Sequence, residues 1–316
     1  MSKGNLYRWS RLTLIVIYLV ILAGSVVRMT GSGMGCPDWP KCFGMWIPPT
    51  DVAQLPDNYQ EVYAHRGYED TTFNAFHTWT EYINRLIGAI AGLLVFGQVV
   101  FGLKHWKRDR LLVGLIVLEF LLMGFQAWLG AVVVYSVLAP VKITIHMVTA
   151  LIIVALNLLI LVRLKHGHTQ QLAYHRGFFF LIITALLMSV AQVVLGTQVR
   201  QEVDHVARLA GHLGRDNWIE QLSGVFEFHR SFAILVLGVN ALLIYLNFRD
   251  KVHLSGVRWM ASILLIEVGS GIALSYLGMP AFLQPTHLIL ASVLFGVQCY
   301  LMLNYLRQLR PATIGN

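Results

Sequence analysis

Charge is scarce in this chain. Of its 316 residues only 13% are Asp, Glu, Lys or Arg, 56% are hydrophobic, and the mean hydropathy is +0.63. That balance excludes a soluble globular domain and points to a polytopic membrane protein. Cysteine is nearly absent. Cys36 and Cys42 share one loop, and Cys299 stands alone in the last apolar run, where it reads as a small core residue. No two further metal ligands lie near the Cys36–Cys42 pair, which argues against zinc there. Acidic residues number 16 against 24 Lys and Arg, for a formal charge of +8. This excess does not mark a nucleic-acid binder, because the basic residues sit in short loops between apolar runs.

Those runs are what the chain has in abundance. Eight spans are predicted, at about 11–29, 80–103, 111–134, 141–163, 177–199, 225–248, 258–278 and 285–306. Each is long enough to cross roughly 30 Å of hydrocarbon at about 1.5 Å per residue. The first run, with Lys3, Arg8 and Arg11 ahead of it and Ala23-Gly24-Ser25 inside it, also has the features of a signal peptide. The repeat described below makes it a permanent span instead. Lys and Arg flank the inner ends of the spans, and most acids lie in the 30–79 and 200–224 loops. The positive-inside rule then puts both termini in the cytoplasm and those two loops outside, in an integral protein of the inner (cytoplasmic) membrane. In this topology Asn84, His146, His229 and His287 all lie near the outer face.

The halves echo each other. Gly24-Ser25-Val26-Val27-Arg28 ends the first span and Gly196-Thr197-Gln198-Val199-Arg200 ends the fifth; Asn84-Arg85 matches His229-Arg230; His146 and His287 open the fourth and eighth spans. Glu119 stands eleven residues before Gly130, and Glu267 eleven before Gly278. The order is the same in both halves and so is the membrane direction. The expectation is therefore an all-α membrane protein of two parallel four-helix repeats, residues 1–165 and 166–316.

An imidazole inside a membrane is a functional hypothesis in itself. Two of them on facing helices of a bundle make the axial ligand set of a haem. His229 and His287 fit that description in the second half, and His146 is the counterpart in the first. The bland alternative is a histidine that bonds a loop carbonyl at a helix start. Arg230 and Arg85 can meet haem propionates bidentately, or can simply snorkel outward. Glu81 shares a helix face with Asn84 and Arg85. Near a haem it can act as a base or stabilise positive charge; otherwise it pairs with Arg85. Glu119 and Glu267 are expected to brace helices through hydrogen bonds. His65, His105, His166, His168, His175, His205, His212 and His253 are read as solvated loop residues. Two cysteines six apart, on the side where oxidation is permitted, can form a disulfide in the turn-rich stretch Gly31-Ser32-Gly33-Met34-Gly35-Cys36-Pro37-Asp38-Trp39-Pro40-Lys41-Cys42.

With that loop, eight spans and two halves, the chain resembles the haem A synthase family along essentially its whole length. The resemblance implies an integral membrane enzyme that oxidises the C8 methyl of haem O to the formyl of haem A for terminal oxidases. It implies haem b between His229 and His287 in the C-terminal half, where Arg230 is the candidate propionate partner read from the residues. It implies the substrate haem in the N-terminal half, on His146 with Arg85, and Glu81 as the catalytic group. It also implies haem O synthase and the assembly of a terminal oxidase as partners, with a homo-oligomer as one option and the electron donor unspecified. One position departs from the family. Its Glu-x-x-His-Arg pattern reads here Glu81-Tyr82-Ile83-Asn84-Arg85, so the histidine is missing. Either the substrate iron keeps His146 alone, or His77, two turns earlier, replaces the lost ligand. Two other classes compete. A quinol-oxidising bis-histidine cytochrome b is weakened by Asn84. A thiol–disulfide protein leaves the histidines unexplained and lacks a second cysteine pair.

Overall fold

A computed structural model describes residues 2–69, 71–165, 172, 174–211, 213–250, 252, 254 and 256–309. Among them, eight helices are long and apolar enough to cross a membrane. They are α1 (Lys3–Met29), α2 (Ala75–Gly102), α3 (Arg110–Tyr135), α4 (Pro140–Leu164), α5 (Arg176–Leu209), α6 (Gly224–Arg249), α7 (Val257–Tyr276) and α8 (Leu283–Gln308). The shortest, α7 with 20 residues, still reaches about 30 Å. The protein is all-helical and spans a membrane many times, as the apolar runs predict.

Polarity is arranged for lipid. Large apolar side chains face outward, among them Leu93 (69% exposed), Ile234 (70%) and Trp259 (72%). Polar side chains turn inward: Ser10, Thr13, Gln98, Glu119, Asn157, Asn240 and Gln298 are fully buried. Water is absent at that depth, and several of these groups pair within the protein. Gln98 donates to Glu119 across α2 and α3 at 2.8 Å. Gln298 donates to Asn240 across α8 and α6 at 2.9 Å. The bracing role expected of Glu119 is therefore present.

The chain packs as two compact units, Met1–Ile153 and Val154–Asn316. In the first, α2 lies against α1 and α3, and the Trp9 indole on α1 donates to the Leu94 carbonyl on α2 at 2.8 Å. In the second, α5 lies against α6 and α8, and α7 against α6 and α8. Phe178, Ile182, Leu243, Met260, Leu264 and Tyr305 share its core.

Helix starts are set by side-chain caps. Asn74 accepts from His77 N at 3.3 Å to begin α2. Ser223 accepts from Val225 N at 3.2 Å to begin α6, and Asp109 caps α3 through Leu112 N at 3.1 Å. Two starts and one end differ from the apolar runs. α1 begins at Lys3 and α2 at Ala75, because capped polar turns extend the helices beyond their hydrophobic stretches. α5 continues ten residues past 199, to Leu209. Its extension buries Val203, Val206 and Ala207 against Trp218 and Met279, and an Arg200–Asp204 ion pair at 2.8 Å links successive turns. Much of the expected 200–224 loop is therefore helix, stabilised by a local apolar cluster too small to register as a span.

Candidate functional site

One end of the first unit is built on the start of α2. Gly35 lies against it so closely that a methyl there would stand 2.4 Å from the His77 carbonyl oxygen, so only glycine fits. This brings Cys36 onto the helix, where its amide donates to Glu81 Oε2 at 2.9 Å. Thr78 Oγ1 donates to the Gly35 carbonyl at 2.8 Å. Arg85, one turn on, meets Glu81 Oε1 at 2.5 Å. Its other donors go to the carbonyls of Asp38 (2.6 Å) and Lys41 (2.9 Å), with Cys36 at 3.4 Å. Cys36 and Cys42 are disulfide-bonded and fully buried.

Beyond the disulfide, Phe43 sits edge-on against Tyr59, Tyr63, Tyr68 and Phe73, and the Tyr68 hydroxyl donates to the Met34 carbonyl. Burial pushes that hydroxyl far above its ordinary pKa. Sequence reasoning took 30–79 for a turn-rich loop and missed this aromatic core. The recurrence of Tyr and Phe at 59, 63, 68 and 73 was the available signal.

Four glycines mark the second feature. Each lies where a methyl would meet a polar residue near the start of another helix. Gly130 on α3 would come within 3.5 Å of His146 Cε1, Gly196 on α5 within 3.3 Å of His229 Cε1, and Gly271 on α7 within 3.3 Å of His287 Cε1. The fourth, Gly24 on α1, would come within 3.9 Å of Asn84 Oδ1. Four residues before three of these glycines stands a polar side chain that touches the same histidine. Gln126 Nε2 donates to the His146 carbonyl at 2.9 Å. Gln192 Nε2 donates to the His229 carbonyl at 3.0 Å and lies 3.5 Å from His229 Nε2. Glu267 Oε1 is 3.2 Å from His287 Nδ1.

Before Gly24 the corresponding residue is Val20. This register corrects the pairing of Glu119 with Glu267. Glu119 bonds Gln98, and the residue that stands to His146 as Glu267 stands to His287 is Gln126. Equal spacing to Gly130 and Gly278 misled because the glycine that meets His287 is Gly271.

The imidazoles fit a haem. Ser270 Oγ donates to the Glu267 carbonyl at 2.8 Å and contacts His287 Nδ1 at 2.8 Å. Nδ1 is thus assigned the proton, and Nε2 keeps a lone pair for iron. The buried Nδ1 atoms of His146 and His229 have no hydrogen-bond partner among the described residues, nor do Asn84 Oδ1, Gln126 Oε1, Gln192 Oε1 and Glu267 Oε2. Orphaned polar atoms of this kind inside each unit of a membrane protein are costly unless a ligand meets them. No cluster of three His, Cys, Asp or Glu side chains that would hold a bare metal ion occurs among the described residues. Isolated imidazoles on separate helices suit an iron whose other four ligands come from a porphyrin.

The remaining expected residues have other surroundings. His77 lies in the first turn of α2, with Nδ1 on Ser32 Oγ at 2.9 Å, and Ser32 in turn meets Thr30 at 2.6 Å. Arg230 is exposed and lies over the Phe226 ring at 5.7 Å, unlike Arg85. His65 is exposed beside Arg66, as expected, and His175 is half-buried where α5 begins. His105 is not solvated but 7% exposed in the helical turn Leu103–His105. His205 is exposed but helical, within the α5 extension. His166, His168, His212 and His253 lie outside the described residues.

Comparison with known proteins bears on all of this. A family model described as cytochrome oxidase assembly protein (COX15-CtaA) matches residues 7–299. A heme A synthase of Shewanella oneidensis is 29% identical, over 81% of this chain and 76% of the relative. Heme A synthases of Alkalihalophilus pseudofirmus and Shouchella clausii are 26% and 27% identical, over 93% and 96% of this chain and 95% and 97% of theirs. With a family model along nearly its whole length, and the disulfide loop and intramembrane histidines set as described, the chain belongs to the haem A synthase family.

Proposed function

We infer that the protein is a membrane oxidoreductase that converts haem O to haem A by oxidising the C8 methyl to a formyl group. Chemically this is two successive two-electron oxidations of one carbon, through the alcohol. The observation that carries the reading is the set of three half-buried imidazoles near helix starts, each against a glycine, in a chain of this family. Expression in a host that makes haem O, followed by pigment extraction and mass analysis, tests it. Haem A that appears only with this protein is the expected result, and unchanged haem O rules the activity out. An electron-carrying cytochrome b would give that second result.

The finer assignments belong to this proposal. The chain is two repeats of four helices, 1–165 and 166–316, with both termini cytoplasmic and the Cys36–Cys42 loop outside. It resides in the inner membrane and hands its product to terminal-oxidase assembly after haem O synthase. The second unit holds haem b, which supplies one-electron transfer when bound. α6 and α8 each lie against α5 and α7, so His229 and His287 come from helices that stand across from one another. Glu267 and Ser270 fix the His287 ring through Nδ1. Gln192 fixes the α6 backbone at His229. Arg230, which lies over the Phe226 ring and makes no ion pair among the described residues, can meet a propionate.

The first unit holds the substrate haem on His146, with Gln126 tying the α4 backbone at that residue to α3. Both oxygens of Glu81 have partners, and the Arg85 guanidinium is spent on loop carbonyls and Glu81. Their first task is therefore to clamp the disulfide loop to α2. Glu81 places its charge one turn from Asn84, beside the reacting haem, and acts on the reaction from that clamped position.

A further inference from the structure

We propose that one axial face of the haem held by His146 has no protein ligand in this chain. That face takes a small exogenous ligand, a diatomic gas or water, with the Asn84 carboxamide as its hydrogen-bond partner. The inference rests on the reading that His146 holds a haem in the first unit, and it goes further by assigning what stands opposite.

Four positions share one geometry, and three of them are histidines. Asn84 meets Gly24 as His229 meets Gly196, and both follow the same local sequence of Gly, a hydroxyl residue, and Arg four residues after the glycine. The hydroxyls behave alike: Ser25 Oγ donates to the Leu22 carbonyl and Thr197 Oγ1 to the Val194 carbonyl, both at 2.7 Å. The backbone thus presents residue 84 as it presents an iron ligand. The side chain differs in two ways. A carboxamide is shorter than an imidazole, so it ends short of the point that a histidine Nε2 reaches. Its neutral oxygen is also a donor suited to hard cations, whereas imidazole suits iron.

What remains is a polar group stopped just below the axial position. Asn84 Oδ1 is buried and has no hydrogen-bond partner among the described residues. A carboxamide presents both an acceptor and an N–H donor, and rotation about its last bond exchanges them. Such a group can bond a ligand that sits on the iron but cannot replace it.

The alternative ligand is held elsewhere. His77 lies seven residues before Asn84, about 10 Å along the helix axis. Its Nδ1 contacts Ser32 at 2.9 Å, which ties it to the turn that follows α1. The polar residue found four positions before the other three glycines is also missing, replaced by Val20. The Asn84 face is thus less crowded with polar groups than the three histidine faces.

The test uses carbon monoxide on the whole protein, purified from a host that makes haem O and then reduced with dithionite. Wild type should carry two haems and bind about one carbon monoxide for every two haems, because a bis-imidazole iron is saturated and the other is not. Asn84→His should lose carbon monoxide binding and gain a second low-spin bis-imidazole spectrum. Asn84→Ala should keep binding but shift the carbon monoxide stretching frequency, because the amide hydrogen bond is gone. Two haems with no carbon monoxide bound in wild type would overturn the proposal and leave the haem assignment standing. Recovery of binding in His77→Ala would then name His77 as the ligand. An Asn84→Ala frequency identical to wild type would remove the amide from the role given to it. A single haem per chain, unaffected by His146→Ala, would overturn the haem assignment and this inference together.

Discussion

The two stretches Glu81–Arg85 and Phe226–Arg230 occupy the same place in α2 and α6, yet they do different work. In α2 the helix begins nine residues before Asn84; in α6 it begins five before His229. The extra turn of α2 carries His77 and Thr78, which hold the Ser32–Cys36 segment. At the first position of the motif stands Glu81, with a 2.9 Å bond to the Cys36 amide, against Phe226, whose ring lies under Arg230. At the last position stand two arginines, one surrounded by loop carbonyls and one exposed. Identical residues at equivalent sites therefore report nothing until their surroundings are known. Arg85 is a structural clamp, and Arg230 is an exposed charge over an aromatic ring. The difference between the units is that one end is closed by a covalent loop with a carboxylate inside it, while the other presents two imidazoles, His229 on α6 and His287 on α8.

The largest effect should come from the second unit. His229→Ala or His287→Ala should abolish the low-spin bis-imidazole spectrum, and with it all haem A formation. If both single variants keep that spectrum, the asymmetry argued above is wrong. Next is Glu81→Gln, which keeps the bond to the Cys36 amide but removes the charge facing Arg85. Conversion of haem O should stop or stall at the alcohol, while the spectrum from His229 and His287 survives. Haem A formed at the normal rate would leave Glu81 a loop anchor only.

The two arginines should separate cleanly. Arg85→Ala strands several buried carbonyls and a carboxylate, and should destabilise the disulfide loop by about 3 kcal/mol, read as faster proteolysis between residues 43 and 74. Arg230→Ala should leave folding unchanged and loosen retention of haem b during washing; equal proteolysis of both variants would contradict the division of roles. Replacing Cys36 and Cys42 together with alanine should cost about 2 kcal/mol of loop stability, since a short closed ring removes little chain entropy. Thiol labelling of the unreduced wild-type protein should reach Cys299 at most. Gly196→Ala and Gly271→Ala should perturb the low-spin spectrum and destabilise by about 1–3 kcal/mol through crowding at 3.3 Å. Gly24→Ala, at 3.9 Å from Asn84, should be the mildest of the three. An equal effect at all three sites would show that the faces are equally crowded.

Much of the architecture was legible without coordinates. Hydropathy alone places eight spans, because a lipid environment forces each apolar run into a helix that satisfies its own backbone. Intramembrane His146, His229 and His287 stand out for the same reason. Side-chain partnership was less legible. Equal spacing paired Glu119 with Glu267, but helix packing gave Glu119 to Gln98 and set Gln126 at the place of Glu267. Spacing along one helix cannot say which neighbouring helix a face will meet. The α5 extension was missed because its apolar residues are few and gain burial only from Trp218 and Met279, which follow later in the chain.

The sequence by itself determined that this chain lives in a membrane and where its eight apolar helices run, and it singled out the intramembrane histidines, since solvent and residue type decide those. Only the tertiary structure decided that Glu81 and Arg85 hold the disulfide loop, that each histidine meets a glycine of another helix, and that Asn84 sits where a fourth histidine would sit. Those are facts of contact between segments distant in the chain. They depend on packing at the scale of a single methyl group, which no periodicity in the sequence records.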